Sequence, residues 1–327
     1  ASLLGASPLA DAFFAAFKLP NFFRRLFAEG VLSSAFIPLY TRFYTSDGLM
    51  RAQRVAEEVF AVLVLCLVSL VTFFEIFMPT LMHIIAPGFA LTPERMEMTI
   101  TFARITFPYI FFISLAALIS GILNAHGRFS AASSAPIILN IAMIIGVIIS
   151  ELFFISAGLA LSLSALLAGI LQFLWVFLAA RRATLYLRPR WPRLTPPIRQ
   201  LFQTMMPAAI GAGIVQINLL CDVILASLLP SGAISYLYYA DRLNQLPLSI
   251  IGIALSTALL PLLSSYLQQS LYEKAHYTQN RAIEIALTLT LPASMGLMVF
   301  SEPIMTVLFE RKAFHHKDVV ETAYTLT

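Results

Sequence analysis

Leu152–Ala180 reads LFFISAGLALSLSALLAGILQFLWVFLAA, and the chain passes directly into Arg181–Arg199, RRATLYLRPRWPRLTPPIR. The first stretch holds no Asp, Glu, Lys or Arg, and it exceeds the ~20 apolar residues an α-helix needs to cross a ~30 Å hydrocarbon core. The second holds six arginines, four prolines and no acid. An uncharged span ending in a cation-rich break is the signature of a membrane helix that emerges on the cytoplasmic side, where loops carry the excess of Lys and Arg. The runs lack the period-two alternation of strands and are too long for barrel strands. The fold class expected is therefore all-α, a polytopic membrane helix bundle.

Working outward, Ile105–Gly127, Phe129–Ser150, Gln200–Cys221 and Leu243–Tyr272 are also free of Asp, Glu, Lys and Arg. Val59–Phe74 and Ile76–Pro93 are separated only by Glu75, and Ile285–Ser301 adds another apolar run. With the apolar but charge-bearing opening segment, these give eight expected spans at about 9–44, 55–86, 99–126, 131–155, 157–182, 199–229, 232–269 and 281–310. Alternating from Arg181–Arg199, the loops at Arg42–Arg54, Arg128 and Lys274–Arg281 fall inside, and those near Glu151 and Leu228–Ala233 fall outside. The tail cations Arg311, Lys312 and Lys317 run against the pattern.

Composition supports the same class. Of 327 residues 59% are hydrophobic and 12% charged, and the mean hydropathy is +0.84. Soluble domains carry about 25% charged residues, so a soluble enzyme, a nucleic-acid-binding domain and a disordered tail are excluded. A net charge of +4 is too mild for a nucleic-acid partner. Two cysteines, Cys66 and Cys221, cannot make a disulfide framework or a zinc site, and in apolar runs they read as inert packing.

A repeat divides the chain. Ala1-Ser2-Leu3-Leu4 recurs as Ala226-Ser227-Leu228-Leu229, and Phe13-Phe14-Ala15 aligns with Tyr238-Tyr239-Ala240 at the same offset. Leu32-Ser33-Ser34-Ala35 and Pro38-Leu39 match Leu255-Ser256-Thr257-Ala258 and Pro261-Leu262, two residues out of step. A period that contains six spans preserves orientation, so two parallel six-helix lobes are expected, with the boundary in the Pro/Arg stretch: residues 1–188 as one lobe, 189–327 as the start of the other. On this reading both lobes are incomplete.

Ionisable residues inside spans are costly and point to function. Asp11, Lys18, Arg25 and Glu29 fall within about 40° of one another on a helical wheel at ~100° per residue, and Arg25 and Glu29 are at i,i+4, so this stripe can neutralise itself. Arg24 lies off that stripe and has no acid at i±3 or i±4; Arg242 in YYADRLNQ (238–245) is in the same situation. Two arginines in corresponding places of two lobes suit a phosphate or pyrophosphate held by bidentate hydrogen bonds; structural ion pairing is the competing reading. Gln216, Asn218 and Asp222 form a second polar set in which Asp222 is either a ligand for a small cation or a hydrogen-bonded core acid. The five histidines show no ligand spacing, and His315-His316 reads as a solvated tail feature. No nucleophile elbow, P-loop, HExxH or CxxC motif is present.

The blocks Asp11–Asn21 (DAFFAAFKLPN) and Arg24–Gly30 (RRLFAEG) strongly resemble the MurJ (MviN) family of lipid II flippases, as do Arg104–Ile110 (RITFPYI), Gly121–Asn124 (GILN) and Tyr238–Leu243 (YYADRL). The resemblance runs along nearly the whole chain. It implies the fold of the multidrug/oligosaccharidyl-lipid/polysaccharide exporters: two pseudo-symmetric six-helix lobes around a central cavity, with two further helices, fourteen in all. By that pattern the first helix and those after Thr327 lie beyond this sequence. The resemblance further implies that Arg24 and Arg242 are cavity arginines needed for function and that Asp11 and Ser235 are sensitive positions. Lys18, Arg25 and Gln245 complete the expected substrate-binding set. Gln245 stands where many members carry Glu, which removes an acidic partner for Arg242. Asp222 resembles a sodium-ligating aspartate of some members.

The expected function is movement of an undecaprenyl-pyrophosphate-linked peptidoglycan precursor, lipid II, from the inner to the outer leaflet of the bacterial cytoplasmic membrane by alternating access. The protein is expected to be a monomer among membrane lipids, with no catalytic residue and no cofactor beyond a sodium ion or coupling to the membrane potential. A cation-coupled drug exporter of the same fold would instead place acids in the first-lobe cavity, and a polyprenyl-phosphate enzyme would need an acid or histidine cluster.

Overall fold

The computed structural model describes residues 3–25, 31–188 and 190–327, leaving aside the side chain of Ser33. Glu29, the expected partner of Arg25, and Ala1-Ser2 of the repeat lie outside these residues. Among the described residues the chain is helical, without strands. Seven stretches are long and apolar enough to cross a membrane: Leu49–Ile85, Pro93–Ala125, Ser130–Phe153, Ala157–Arg182, Pro196–Ser227, Ala233–Gln268 and Tyr272–Val299. The first expected span, 9–44, is not among them; its described residues contain two 16-residue helices, α1 (Pro8–Phe23) and α2 (Leu32–Asp47). The last expected span, 281–310, is also corrected. Its helix begins at Tyr272 and stops at Val299, and a separate short helix, Ser301–Phe309, follows.

The chain forms two compact units, Pro8–Pro230 and Ala1–Ser7 with Ser231–Thr327. The first contains α1, α2, α3 (Leu49–Ile85), α4 (Pro93–Thr106), α5 (Tyr109–Ala125), α6 (Ser130–Phe153), α7 (Ala157–Arg182) and α8 (Pro196–Ser227). The lobe boundary expected at 188/189 differs from this division, because α8 packs on α2 and α3. Phe36 and Tyr40 of α2, Val55 and Val59 of α3, Ile119 and Ile122 of α5, Val176 of α7 and Ile198 of α8 share one buried core.

Lipid tails are as apolar as leucine, so membrane helices associate through close packing and internal hydrogen bonds. Gly146 of α6 faces Ser164 and Ala160 of α7, Gly158 faces Phe102, and Gly169 faces Tyr109. Gln172, 2% exposed, is a polar node of three helices: its Nε2 donates to the Ala135 carbonyl at 2.9 Å and its Oε1 accepts from Tyr109 Oη at 3.5 Å. Ser162, Ser164, Thr99 and Thr106 donate to carbonyls four residues back, which satisfies their hydroxyls without water. On α6 the stripe Ile137, Ile141, Ile144 and Ile148 is exposed, a pattern that fits lipid and not water.

The second unit contains α9 (Ala233–Pro247), α10 (Ala254–Gln268), α11 (Tyr272–Val299), α12 (Ser301–Phe309) and α13 (His316–Leu326). A wider turn over Leu248–Ile253 joins α9 to α10. Tyr239 is the hub: its ring lies 5.3 Å from both Phe309 and Phe314, and its hydroxyl donates to the Gly5 carbonyl at 3.4 Å. Gly232 takes φ +102° just before α9, a conformation that side chains disfavour. His315 is not a bare tail residue. It caps α13 in a reciprocal box with Asp318, and Asp318 also accepts from Tyr236 Oη at 3.0 Å.

Candidate functional site

The first expected set lies in the Pro8–Pro230 unit. Asp11, in the first turn of α1, is fully buried and accepts a hydrogen bond from Arg95 Nη2 on α4, forming an ion pair. Arg95 is itself buried and lies 3.7 Å above the centroid of Phe89. The self-neutralising stripe expected on α1 is therefore corrected at Asp11, whose charge is met by an arginine from another helix. This pair also explains an arginine at an outer helix end, since Arg95 is held by an acid.

Arg24 and Arg25 follow α1, which ends at Phe23, and lie in a wider turn. The 100° wheel no longer applies there, so their faces cannot be read from spacing alone. Arg24 Nε donates to Asn21 Oδ1 at 3.1 Å, which orients the guanidinium through a neutral amide. Arg24, Arg25 and Lys18 are all half-buried, and Lys18 takes part in an interaction.

In the second unit, Arg242 is exposed on α9 and lies along the Tyr238 ring, 4.8 Å from its centroid. Its Nη2 donates to Tyr238 Oη at 2.9 Å. Among the described residues no carboxylate comes within ion-pair reach of Arg242. Gln245 Nε2 donates instead to Asp241 Oδ2 at 2.5 Å, so the amide satisfies the one acid adjacent to Arg242. Ser235 is buried two turns before Arg242 on the same face of α9, and takes part in an interaction.

Asp222 is exposed on α8, as is Cys221, and Cys66 is exposed on α3. The two thiols thus lie on helix surfaces within apolar runs. Among the described residues no three His, Cys, Asp or Glu side chains gather where they would hold a metal ion. Asp222, exposed and without such neighbours among the described residues, is not by itself a cation cage.

Two residues that the sequence reading passed over organise the arginine-rich loop. Glu57, 5% exposed on α3, accepts from the Arg188 backbone N–H at 3.1 Å and pairs with Arg190 through its Nε. That hydrogen bond, with the carboxylate charge, pushes the Arg190 guanidinium further up from its ordinary value. Glu58 accepts from Thr195 Oγ1 at 2.8 Å. Two adjacent acids at the start of a span, facing a loop without acids, were the available signal. Loops assigned to one side do meet here. At the other side Gly88 and Ser227 approach so closely that the Gly88 N–H donates to Ser227 Oγ at 3.3 Å.

Residues 1–327 match a family model described as lipid II flippase MurJ. Probable lipid II flippases MurJ of Rhizobium meliloti and Rickettsia prowazekii are 45% and 40% identical over 100% of this chain. The chain spans 62% and 64% of their lengths. A solved structure of lipid II flippase MurJ in an inward closed conformation aligns with a TM-score of 0.82 at 27% identity, covering 99% of this chain and 67% of that one. An inward-facing multidrug resistance transporter of the MATE family aligns at 0.77 with 16% identity, covering 99% of this chain and 74% of that one, a likeness of fold alone. With all of its residues inside the family model, this chain belongs to the lipid II flippase MurJ family.

Proposed function

We propose that this chain is part of a transporter that carries lipid II, the undecaprenyl-pyrophosphate-linked peptidoglycan precursor, from the inner to the outer leaflet. The observation that carries the reading is the match of the whole chain to the flippase family model. As a family member with seven helices of membrane-spanning length, the protein is a multi-pass protein of the bacterial cytoplasmic membrane.

The chemistry asked of the protein is to hold a diphosphate and let it go. A planar guanidinium offers paired N–H donors that match phosphate oxygens, with a charge that does not titrate. Arg242 is presented in this way: Tyr238 supports its plane, and no acid among the described residues competes for its charge. Arg24 carries the same donor fork, oriented by Asn21. Lys18, Arg25 and Gln245 extend the proposed contact set, while Asp11 and Ser235 support it from buried positions. Leaflet exchange makes and breaks no covalent bond, so the reading needs no catalytic residue, and a monomer suffices.

Alternating access requires helices that bend at defined places. The wider turn at Leu248–Ile253, directly after Pro247, is such a place in α9–α10. The test is leaflet accessibility of lipid II in cells depleted of the full-length protein. Depletion is expected to leave lipid II inaccessible from outside, and complementation to restore access. Unchanged accessibility on depletion overturns the reading.

A further inference from the structure

A cavity of 850 Å³ lies where the α5–α6 turn meets the last turns of α7, on the face that the arginine distribution assigns to the cytoplasm. Arg128 and Arg182 line it from opposite elements, with Ser130 and Ser134 on one wall and Phe129 and Trp175 beside them. No acid lines it. Neither arginine has an ion-pair partner among the described residues. The neighbouring Arg181 differs, being placed over the Phe177 ring at 4.7 Å.

The polar wall is fixed. Trp175 Nε1 donates to Ser134 Oγ at 3.0 Å, and Ser134 Oγ donates to the Ala131 carbonyl at 3.2 Å. The 24-residue helix α6 starts at Ser130, and Ser130 and Ala131 line the cavity, so the positive end of its dipole lies beside the same space. Two guanidinium groups, a helix start and no carboxylate define a site for a singly or doubly charged anion. The apolar sides distinguish a lipid from a soluble ion. Phe129 is 59% exposed and Trp175 47%, and exposed apolar faces of α6 and α7 continue from the cavity. Aromatic residues beside arginines at a membrane surface are the setting in which headgroups sit.

We propose that this cavity binds the headgroup of an anionic glycerophospholipid of the inner leaflet. The phosphodiester lies between Arg128 and Arg182, and the acyl chains run past Phe129 and Trp175 along α6 and α7. Neither Arg24 nor Arg242 lines it, and lipid binding here does not depend on which substrate they hold.

The test is thermal unfolding of delipidated full-length protein in detergent, in phosphate-free buffer at fixed ionic strength. The additives are dioctanoyl phosphatidylglycerol, dioctanoyl phosphatidylethanolamine or inorganic phosphate. Phosphatidylglycerol is expected to raise the midpoint well above the other two. Arg128→Gln with Arg182→Gln should weaken that response at least about tenfold in concentration. Arg181→Gln should leave it unchanged. Ser130→Asp keeps the fold, since an acid suits the first turn of a helix, and should abolish the response by supplying an internal carboxylate. It decides the matter if the double variant does not fold. Equal stabilisation by phosphatidylethanolamine overturns the proposal, as does an undiminished response in Ser130→Asp. Equal stabilisation by inorganic phosphate overturns the lipid assignment in favour of a soluble-anion site.

Discussion

The carboxylate of Asp11 on α1 and the guanidinium of Arg95 on α4, 84 residues apart, pair inside the helix bundle. Both are buried, and Arg95 is closed off on one side by the Phe89 ring. Removing one partner leaves an uncompensated buried charge, at a cost of about 3–5 kcal/mol, whereas replacing both by neutral groups of similar size costs much less. Asp11→Asn and Arg95→Met are therefore each expected to lower the unfolding midpoint and the amount of folded protein in the membrane, and the double substitution to recover most of the loss. A double variant no better than the worse single variant would mean that the pair is not what these residues contribute.

The Glu57 contacts predict how the arginine-rich loop behaves. Glu57→Ala removes the acceptor of both the Arg188 N–H and the Arg190 side chain. The loop should then detach from α3 without unfolding the helices. Trypsin cannot cut Arg188, which precedes proline, so cleavage after Arg190 and Arg193 reports the change. In inverted membrane vesicles the variant should be cut several times faster than the parent. In right-side-out vesicles neither should be cut, and cutting there would reverse the orientation.

Gly88 offers a packing test. A Cβ at this position would run into the backbone carbonyl of Ser227, which no rotamer change can relieve. Gly88→Ala should lower stability by about 1–3 kcal/mol, the usual cost of overpacking, seen as a lower unfolding midpoint. Ser227→Ala removes only the hydroxyl that accepts from the Gly88 N–H and should cost less.

The spans were legible because hydrocarbon imposes one requirement, about 20 uncharged residues, on each of them. Leu152–Ala180 meets it without ambiguity, and its helix was found at Ala157–Arg182. What spacing could not supply were partners on other helices. Periodicity relates neighbours on one helix, so it placed Asp11 beside Lys18 and Arg25 and had no means of reaching Arg95. The wheel also lost its meaning at Arg24, where α-geometry ends at Phe23. Tyr238 was within reach at i−4 of Arg242, but a search for acids passes over a phenol that accepts one hydrogen bond and offers its ring face.

The last prediction concerns charge and shape at Arg24 and Arg242. If each guanidinium holds a phosphate, it contributes a positive charge and a planar donor fork. Lysine keeps the first and loses the second, so Arg24→Lys and Arg242→Lys should retain partial transport. Alanine removes both, and loss of a charge-assisted hydrogen bond of about 1.5–3 kcal/mol corresponds to about tenfold to a hundredfold weaker binding. Tyr238→Phe keeps the ring under Arg242 and deletes only the oxygen that accepts its Nη2 proton, so it should impair transport less than Arg242→Ala. Structural ion pairing predicts a different pattern: less folded protein in the membrane, restored when a partner acid is also removed. Complementation of a depletion strain, with membrane protein levels and lipid II accessibility measured together, separates the two. Normal growth of both Arg24→Ala and Arg242→Ala at normal protein levels would sink the pyrophosphate clamp, because neither guanidinium would then be holding anything the cell requires.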